Sequence, residues 1–502
     1  MLFLKNLLDL NFPTTIPFKC PPTQREKAMP RFTVTTLDGS PKVFENGDLD
    51  DFAAGLRGEL LGPQSPGYDT ARSLWNGMID RHPGLIVECA GVADVMRSVN
   101  FAVKNGLLVS VLGAGHNIAG SASSEGGFMI SLRKMNSVRV DPQARKAWVG
   151  PGTTLGEFDL EAQVFGLATP VGINSTTGVG GLTLGGGFGW LSRKHGLTVD
   201  NLISVDVVTA TGEYLRVSEE ENSDLFWGIR GGGGNFGIVT SFEFKLHPVG
   251  PEVLSGLIVY PFSDADAVLR NYREFAAQAP DDLTVWAVMR KAPPLPFLPP
   301  EAHGTTVLIL ACLYAGDMAE GEEALQSLRQ FGTPIADVIS PHKFTDFQMA
   351  FDPLLLEGER NYWKSHDFLE MSDGLLDAVL PFVSELPNES SEVFFAQMGG
   401  ATNRVPADAT AYRHRDAEFI MNVHGRWHDA GDDDRCIAWT RDLFQASAPY
   451  ATGGVYVNFM TEEETDRVQS AYGDSFARLA QLKAKYDPTN FFRLNQNIQP
   501  AP

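Results

Sequence analysis

The sequence predicts a two-domain α+β protein, and three observations carry that reading. The chain has 502 residues, whereas a single hydrophobic core stops growing near ~250–300 residues. Its first half interleaves a few helical segments with many short apolar runs bounded by turn residues. Its glycines are unevenly spread: eight fall within residues 172–189 and five within 231–237, while residues from about 250 to 450 hold no such cluster.

Each element follows from pattern. Residues 1–45 are rich in turn formers and are expected to form a loosely attached N-terminal arm. Residues 85–89 are a short apolar run. Val92, Val95, Met96, Val99, Ala102 and Val103 then recur at helical spacing, Gly106 sits where a helix-ending glycine belongs, and residues 107–112 are a second apolar run. Together these predict a βαβ unit. Residues 128–132 form another strand. Residues 137–140 and 146–149 flank Asp-Pro-Gln, and 203–209 and 214–217 flank Thr211-Gly212, so both pairs read as hairpins. Residues 291–300 hold five prolines and predict a stiff loop; 307–312 predict a strand. Residues 463–485 read as a helix, with Thr461 and Glu464 spaced as a capping box before it.

Composition narrows the function. A net charge of −22 argues against nucleic acid and against anionic lipid surfaces, both of which reward basic protein surfaces. The four cysteines, at 20, 89, 312 and 436, share no metal-like or redox spacing, so neither a disulfide framework nor a metal site is expected. The apolar start is interrupted by Lys5 and Asp9 and is too short to span a bilayer. A soluble, cytoplasmic protein is expected. His424 and His428 have no third ligand at suitable spacing, so they are not read as a metal pair.

Gly232-x-Gly234-x-x-Gly237 matches the dinucleotide fingerprint formally, but that fingerprint needs a helix after it. Residues 238–244 alternate as a strand does, which rejects a Rossmann domain, and no Walker A sequence is present. Glycine loops between strands remain. Such loops can aim several backbone N–H groups at a phosphate without a lysine. Residues 113–120 suit this role: Gly113, Ala114, Gly115, Asn117 and Gly120 surround His116 directly after an apolar strand.

Four stretches then carry a family resemblance: VLGAGHNIAG at 111–120, PVGINSTTGVGGLTLGGGFGWLSRKHGLTVDNL at 170–202, DLFWGIRGGGGNFGIVTSFEF at 224–244, and YVNFM with YDPTNFFRLNQNIQP at 456–460 and 486–500. They resemble the berberine bridge enzyme-like oxidoreductases of the vanillyl-alcohol oxidase/p-cresol methylhydroxylase superfamily. The resemblance implies an FAD-binding domain over 46–250, an antiparallel-sheet substrate domain over 251–454, and a C-terminal segment, 455–502, that returns to the first domain. It implies a covalent bond from His116 to the flavin. Gly113 to Gly115 and the loop holding Gly178, Gly180, Gly181, Gly185, Gly186, Gly187 and Gly189 would wrap the pyrophosphate and flavin edge. Gly172, Asn174, Thr177, Trp190 and Asn201 would add contacts from the same stretch. Gly237, Ile238 and Val239 would line the adenosine side, and Asn495 and Asn497 would close over the flavin.

Many members carry a second flavin-linking cysteine where this chain has Asn174, which cannot form a thioether, so attachment through His116 alone is expected. Thr177 falls where family members gate oxygen; its size, near that of valine, favours an oxidase. Tyr456 resembles the tyrosine that acts as base in several relatives. Asn422, His424 and Gln397 are expected over the flavin, with Trp363, Lys364 and His366 in the pocket wall. The implied activity is FAD-dependent oxidation of a small alcohol, sugar, amine or alkaloid-like molecule, with O2 accepting the electrons. A dehydrogenase with another acceptor, or a flavin-dependent cyclase or isomerase, stands as the alternative.

Overall fold

The computed structural model describes residues 31–45 and 47–502. Three sheets organise them.

The first is built on the βαβ unit. Leu85–Glu88 pairs in parallel with Phe128–Ser131, which pairs in parallel with Val109–Leu112, and Glu59–Leu61 closes one edge antiparallel. The helix Val92–Asn105 links the first and last of the parallel strands. It ends at Gly106, whose φ of 65° lets the chain reverse at little steric cost. Val95, Val99 and Ala102 pack into one core with Leu85, Val87, Val109 and Phe128. Val92 and Val103, also part of the apolar pattern, are exposed instead. The arm expectation is corrected from residue 32 onward. Phe32–Thr35 and Pro41–Phe44 form a hairpin, and Phe32, Val34 and Phe44 are buried in this same core. Apolar side chains at alternate positions give a hairpin one face to bury. Residues 1–30, including Cys20, lie outside the described residues.

The second sheet has five antiparallel strands, in the order Tyr214–Ser218, Leu202–Val208, Ile238–Lys245, Lys146–Val149 and Val138–Asp141. Both expected hairpins are here, and Gly212 turns one of them with φ 75°.

The third sheet has eight antiparallel strands. Its central path runs Glu252–Pro261, Thr306–Tyr314, Leu283–Lys291, Glu392–Gln397, Phe419–Trp427 and Arg360–Phe368. Alternate residues point to opposite faces. Val285, Ala287, Leu310, Val393, Phe395, Met421 and Val423 pack against the helices Ala265–Ala276, Asp373–Ser384 and Asp433–Ser447. Trp286, Ala311, Phe394, Ala396 and Ile420 face the other way, onto Phe188 and Trp190 of the glycine-rich half. One sheet thus has a private core behind it and a shared surface in front.

The tail returns to the first half. The expected helix over 463–485 is broken: Val468–Tyr472 and Phe476–Tyr486 are separated at Gly473, whose φ of 49° leaves the helical region. Glu464 accepts the Thr461 N–H and hydroxyl, each at 2.9 Å, as a capping box requires of its acid. Lys483 is fully buried and its Nζ donates to Asn235 O, Phe492 O and Asp487, which pins the tail beneath the 231–237 glycines. No helix among the described residues is long and apolar enough to cross a membrane.

Candidate active site

A cavity of about 390 Å³ lies where the glycine loops meet the front of the large sheet, with the tail closing one side. Ligand clefts are commonly ~300–1,000 Å³ and mostly apolar. Its floor starts where Val109–Leu112 ends and the chain turns through Gly113, Ala114, Gly115, His116 and Asn117. Gly172, Asn174, Thr177, Gly178, Gly180 and Gly181 come in beside them, and Gly237, Ile238 and Val239 enter from the start of another strand. Trp190 and Asn495 also line it. Glycine is required where these loops converge: a Cβ on Gly178 would stand 2.8 Å from the Ala114 Cβ. At Gly181 and Gly234 the reverse holds. A Cβ there would meet nothing within 4 Å and would project into the cavity.

The remaining glycines expected at the cofactor sit one layer behind. Gly185 packs on Asn458, Gly186 on Tyr412, Gly187 on Thr198, Gly189 on the Val171 carbonyl, and Gly120 on Ile79, whose Cγ2 a Cβ there would meet at 2.8 Å. Asn201 is also behind the wall: its Nδ2 donates to His195 O and Leu197 O, and its Oδ1 pairs with His247. Asn497 does not line the cavity either; its Oδ1 is buried without a partner. Glycine clustering reports close backbone packing as readily as ligand contact, which is why the sequence does not separate the two.

His116 stacks on Trp75, with ring centroids 4.8 Å apart. Burial, assisted by the nearby Arg133 guanidinium, pushes its pKa down to about 3, so the imidazole is neutral. Its Nε2 lies 2.8 Å from Thr176 Oγ1, and that hydroxyl donates to Asn174 Oδ1 at 2.7 Å. With the threonine proton committed to Asn174, Nε2 carries the imidazole hydrogen and Nδ1 is the accepting nitrogen. Thr177 Oγ1 stands 3.4 Å from Nδ1.

Opposite this floor, Tyr456 is buried between Phe188 and Phe459. Its hydroxyl oxygen accepts the Gly187 N–H at 3.1 Å and Asn458 Nδ2 at 2.9 Å. Burial pushes its pKa up to about 12 against the pull of those two donors, so it is a phenol at rest.

The sheet supplies the roof. Asn422 and His424 share its cleft face with Trp363, Phe394 and Glu392, as period-two alternation requires. Asn422 is 1% exposed and its Oδ1 has no partner. His424 Nε2 pairs with Asn361 Oδ1 at 3.0 Å, and its Nδ1 lies 3.5 Å from Glu392. Three expectations fail by parity. Gln397 points to the back face, where its Oε1 accepts Val285 N–H and its Nε2 donates to Ala276 O. Lys364 and His366 also point back. Lys364 binds Thr461, Glu463 and Glu464, and His366 stacks on Phe444.

Glu392, Arg290, Trp75 and Asn458 are cleft residues that the sequence did not single out. Glu392 and Phe394 were legible in principle, since they keep step with each other and out of step with Val393 and Phe395. Burial opposes ionisation of Glu392, but Arg290, the His424 contact and Arg426 outweigh it and hold its carboxyl well below the usual range.

An apolar cleft lies between glycine-loop turns and an antiparallel roof, with one neutral histidine in its floor, as the resemblance to two-domain flavoprotein oxidoreductases of the vanillyl-alcohol oxidase type implies. Comparison with known proteins agrees. Residues 83–218 match the FAD binding domain family, and residues 455–499 match the berberine and berberine-like family. The chain is 31% identical over 469 residues to an FAD-linked oxidoreductase of Dictyostelium discoideum, covering 92% of this chain and 99% of the relative. It is 31% identical over 465 residues to (R)-6-hydroxynicotine oxidase of Paenarthrobacter nicotinovorans, covering 89% and 97%. The crystal structure of 6-hydroxy-D-nicotine oxidase from Arthrobacter nicotinovorans matches with a TM-score of 0.80 at 28% identity over 89% of this chain and 98% of that one. A chitooligosaccharide oxidase structure gives 0.79 at 26% identity over 90% and 100%. The chain belongs to the berberine bridge enzyme-like family of FAD-linked oxidoreductases and is an FAD-dependent enzyme. The residues present fit that cofactor. Gly181 and Gly234 leave open room beside the loops, and the buried Asn495 Oδ1 lacks a partner in the cleft.

Proposed function

We propose that the enzyme is an oxidase that tethers FAD through His116 alone, removes a hydride from a small alcohol, sugar, amine or alkaloid-like substrate, and passes the electrons to O2. One observation carries the tether: a neutral imidazole in the glycine-lined floor whose Nε2 hydrogen is fixed by the Thr176–Asn174 chain. That arrangement would leave Nδ1 as the ring atom that holds the flavin. Asn174 replaces the second linking group with an orienting one. FAD, when bound, supplies the hydride acceptor.

The chain's own residues bind, orient and move a proton. Asn422, with its free carbonyl oxygen, accepts a substrate O–H or N–H. Tyr456, after giving up its own proton to solvent, takes the substrate O–H or N–H proton as the C–H bond breaks and returns to a phenol. Gly187 N–H and Asn458 Nδ2, already aimed at its oxygen, stabilise the phenolate that does this. The apolar walls of Trp190, Trp286, Phe394 and Trp363 exclude water. Relatives named as oxidases of 6-hydroxynicotine, chitooligosaccharides and xylooligosaccharides support O2 as acceptor, and Thr177 leaves a small side chain beside His116.

Acid-precipitated protein should keep its yellow colour in the pellet, His116→Ala should release all of it, and Asn174→Ala should acquire the bond more slowly. Full release from the natural chain would refute the tether. Anaerobic bleaching by a panel of sugars, alcohols and cyclic amines, followed by peroxide assay on admitting air, tests the rest. Bleaching without peroxide would replace the oxidase by a dehydrogenase, and binding without bleaching would favour the cyclase or isomerase alternative.

A further inference from the structure

The roof strand Phe419–Trp427 presents Asn422, His424 and Arg426 in succession on its cleft face. Along that line the chemistry changes from a neutral amide to an imidazole to a cation. Arg426 is 2% exposed. Its Nη2 donates to Ser390 O at 2.9 Å, but its Nη1 is buried with no partner. A second hollow opens there, bordered by the proline-rich loop, and it shares Arg290, Ala292, Pro293 and Leu354 with the main cleft.

Around this hollow the cations and acids balance in number, yet one buried guanidinium N–H is left without an acceptor. The buried ionised groups are Arg290, 5% exposed, Arg426, and Glu392, 7% exposed. Glu392 is already engaged by Arg290 at 2.8 Å. Of the other acids lining the hollow, Glu389 is exposed to solvent and Glu359 faces His428 Nδ1 at 3.4 Å, while Lys291 adds a further cation at the rim. A buried guanidinium N–H without an acceptor is unfavourable, and a ligand oxygen would satisfy it with a charge-assisted bond. The chain's net charge of −22 repels anions at long range, so recognition must rest on this local contact rather than on steering.

We infer that Arg426, with Arg290 beside it, forms a subsite for a carboxylate at the far end of an elongated substrate whose oxidised carbon lies at the Tyr456–Asn422 end. The inference rests on the redox reading of the cleft given above. Four residues of strand separate Asn422 from Arg426, about 13 Å at ~3.3 Å each. The substrate class is therefore an organic acid with roughly that reach, such as an acylated peptide acid or an oligosaccharide ending in a uronic acid.

The test uses the holoenzyme and a matched pair of probes, benzoyl-glycylglycine as the free acid and as its C-terminal amide, titrated by calorimetry. The acid should bind at least ~10-fold more tightly, as expected for a hydrogen bond to a charged group. Arg426→Gln should erase the preference and Arg426→Lys should keep part of it, with circular dichroism and melting temperature checking the fold. Equal affinities in the natural chain would overturn the subsite whatever the variants do, and a preference surviving in Arg426→Gln would overturn the residue assignment. A yellow, substrate-bleachable protein without acid preference would refute the subsite alone. A colourless protein that still prefers the acid would refute the redox reading alone.

Discussion

At Tyr456 two opposing effects are visible on one atom. Burial disfavours the phenolate, while two N–H donors favour it. A group with pKa about 12 in the resting protein is a poor base unless substrate arrival changes its surroundings. The donors are already in place, so the phenol's own proton must leave to solvent before Tyr456 can take one from a substrate hydroxyl or amine held by Asn422. Tyr456→Phe removes the acceptor but keeps the ring between Phe188 and Phe459. It should lower kcat by about 10²–10⁴, the usual worth of a positioned base, with KM and melting temperature nearly unchanged. Stopped-flow flavin reduction would measure this, and a rate within about threefold of the natural enzyme would remove Tyr456 from the chemistry. The tyrosine was visible in the sequence as part of Tyr-x-Asn-Phe. Its two donors were not, because Gly187 lies 269 residues away in the chain.

The roof strands show why three picks from the sequence failed and three succeeded. Asn422 and His424 are in phase with each other, so one register decides both. Gln397 is out of phase with Glu392 and Phe394, and a one-residue parity error moves a side chain to the opposite face. Apolar alternation does not reveal the phase here, because both faces of this sheet are buried. The same ambiguity affects the glycine loops, and substitution separates the two kinds of glycine. Gly181→Val places atoms in open space inside the cleft. It should fold with a near-natural melting temperature yet bind FAD at least ~10-fold more weakly. Gly189→Ala meets the Val171 carbonyl. It should cost about 1–3 kcal/mol of stability, the range for overpacking. Thermal melts paired with FAD reconstitution would discriminate; identical behaviour of the two variants would contradict the assignment of one to the cleft and the other to packing.

Across the whole molecule, the fold class, the βαβ unit, both hairpins and the position of His116 were legible because each is written in local pattern or glycine placement. The hairpin at 32–44 was not, since its burial depends on a sheet formed later in the chain, and neither was the break at Gly473. Global electrostatics yields a further expectation. His116 and His195 are pushed down to about 3, and His247, His366 and His424 to about 4, each chiefly by burial. Between pH 4 and 6.5 these five bind protons when unfolded but not when folded, so each makes stability rise with pH there. Asp159, raised to about 7, Asp367, raised to about 6, and Glu418, also raised by burial, act in the opposite sense. Five groups outweigh three. Melting temperature should therefore fall as pH is lowered from 6.5 to 4.5, and a flat or rising trend in calorimetry would contradict this balance.

The large sheet keeps its helix-packed core on one side and lends only its other side to the cleft. Replacing a front-facing side chain such as His424 or Arg426 leaves the rear packing intact and the cofactor loops, which belong to another part of the chain, untouched. Lineages sharing this architecture could thus explore new diets by trading a few roof residues, with neither foldability nor redox machinery placed at risk.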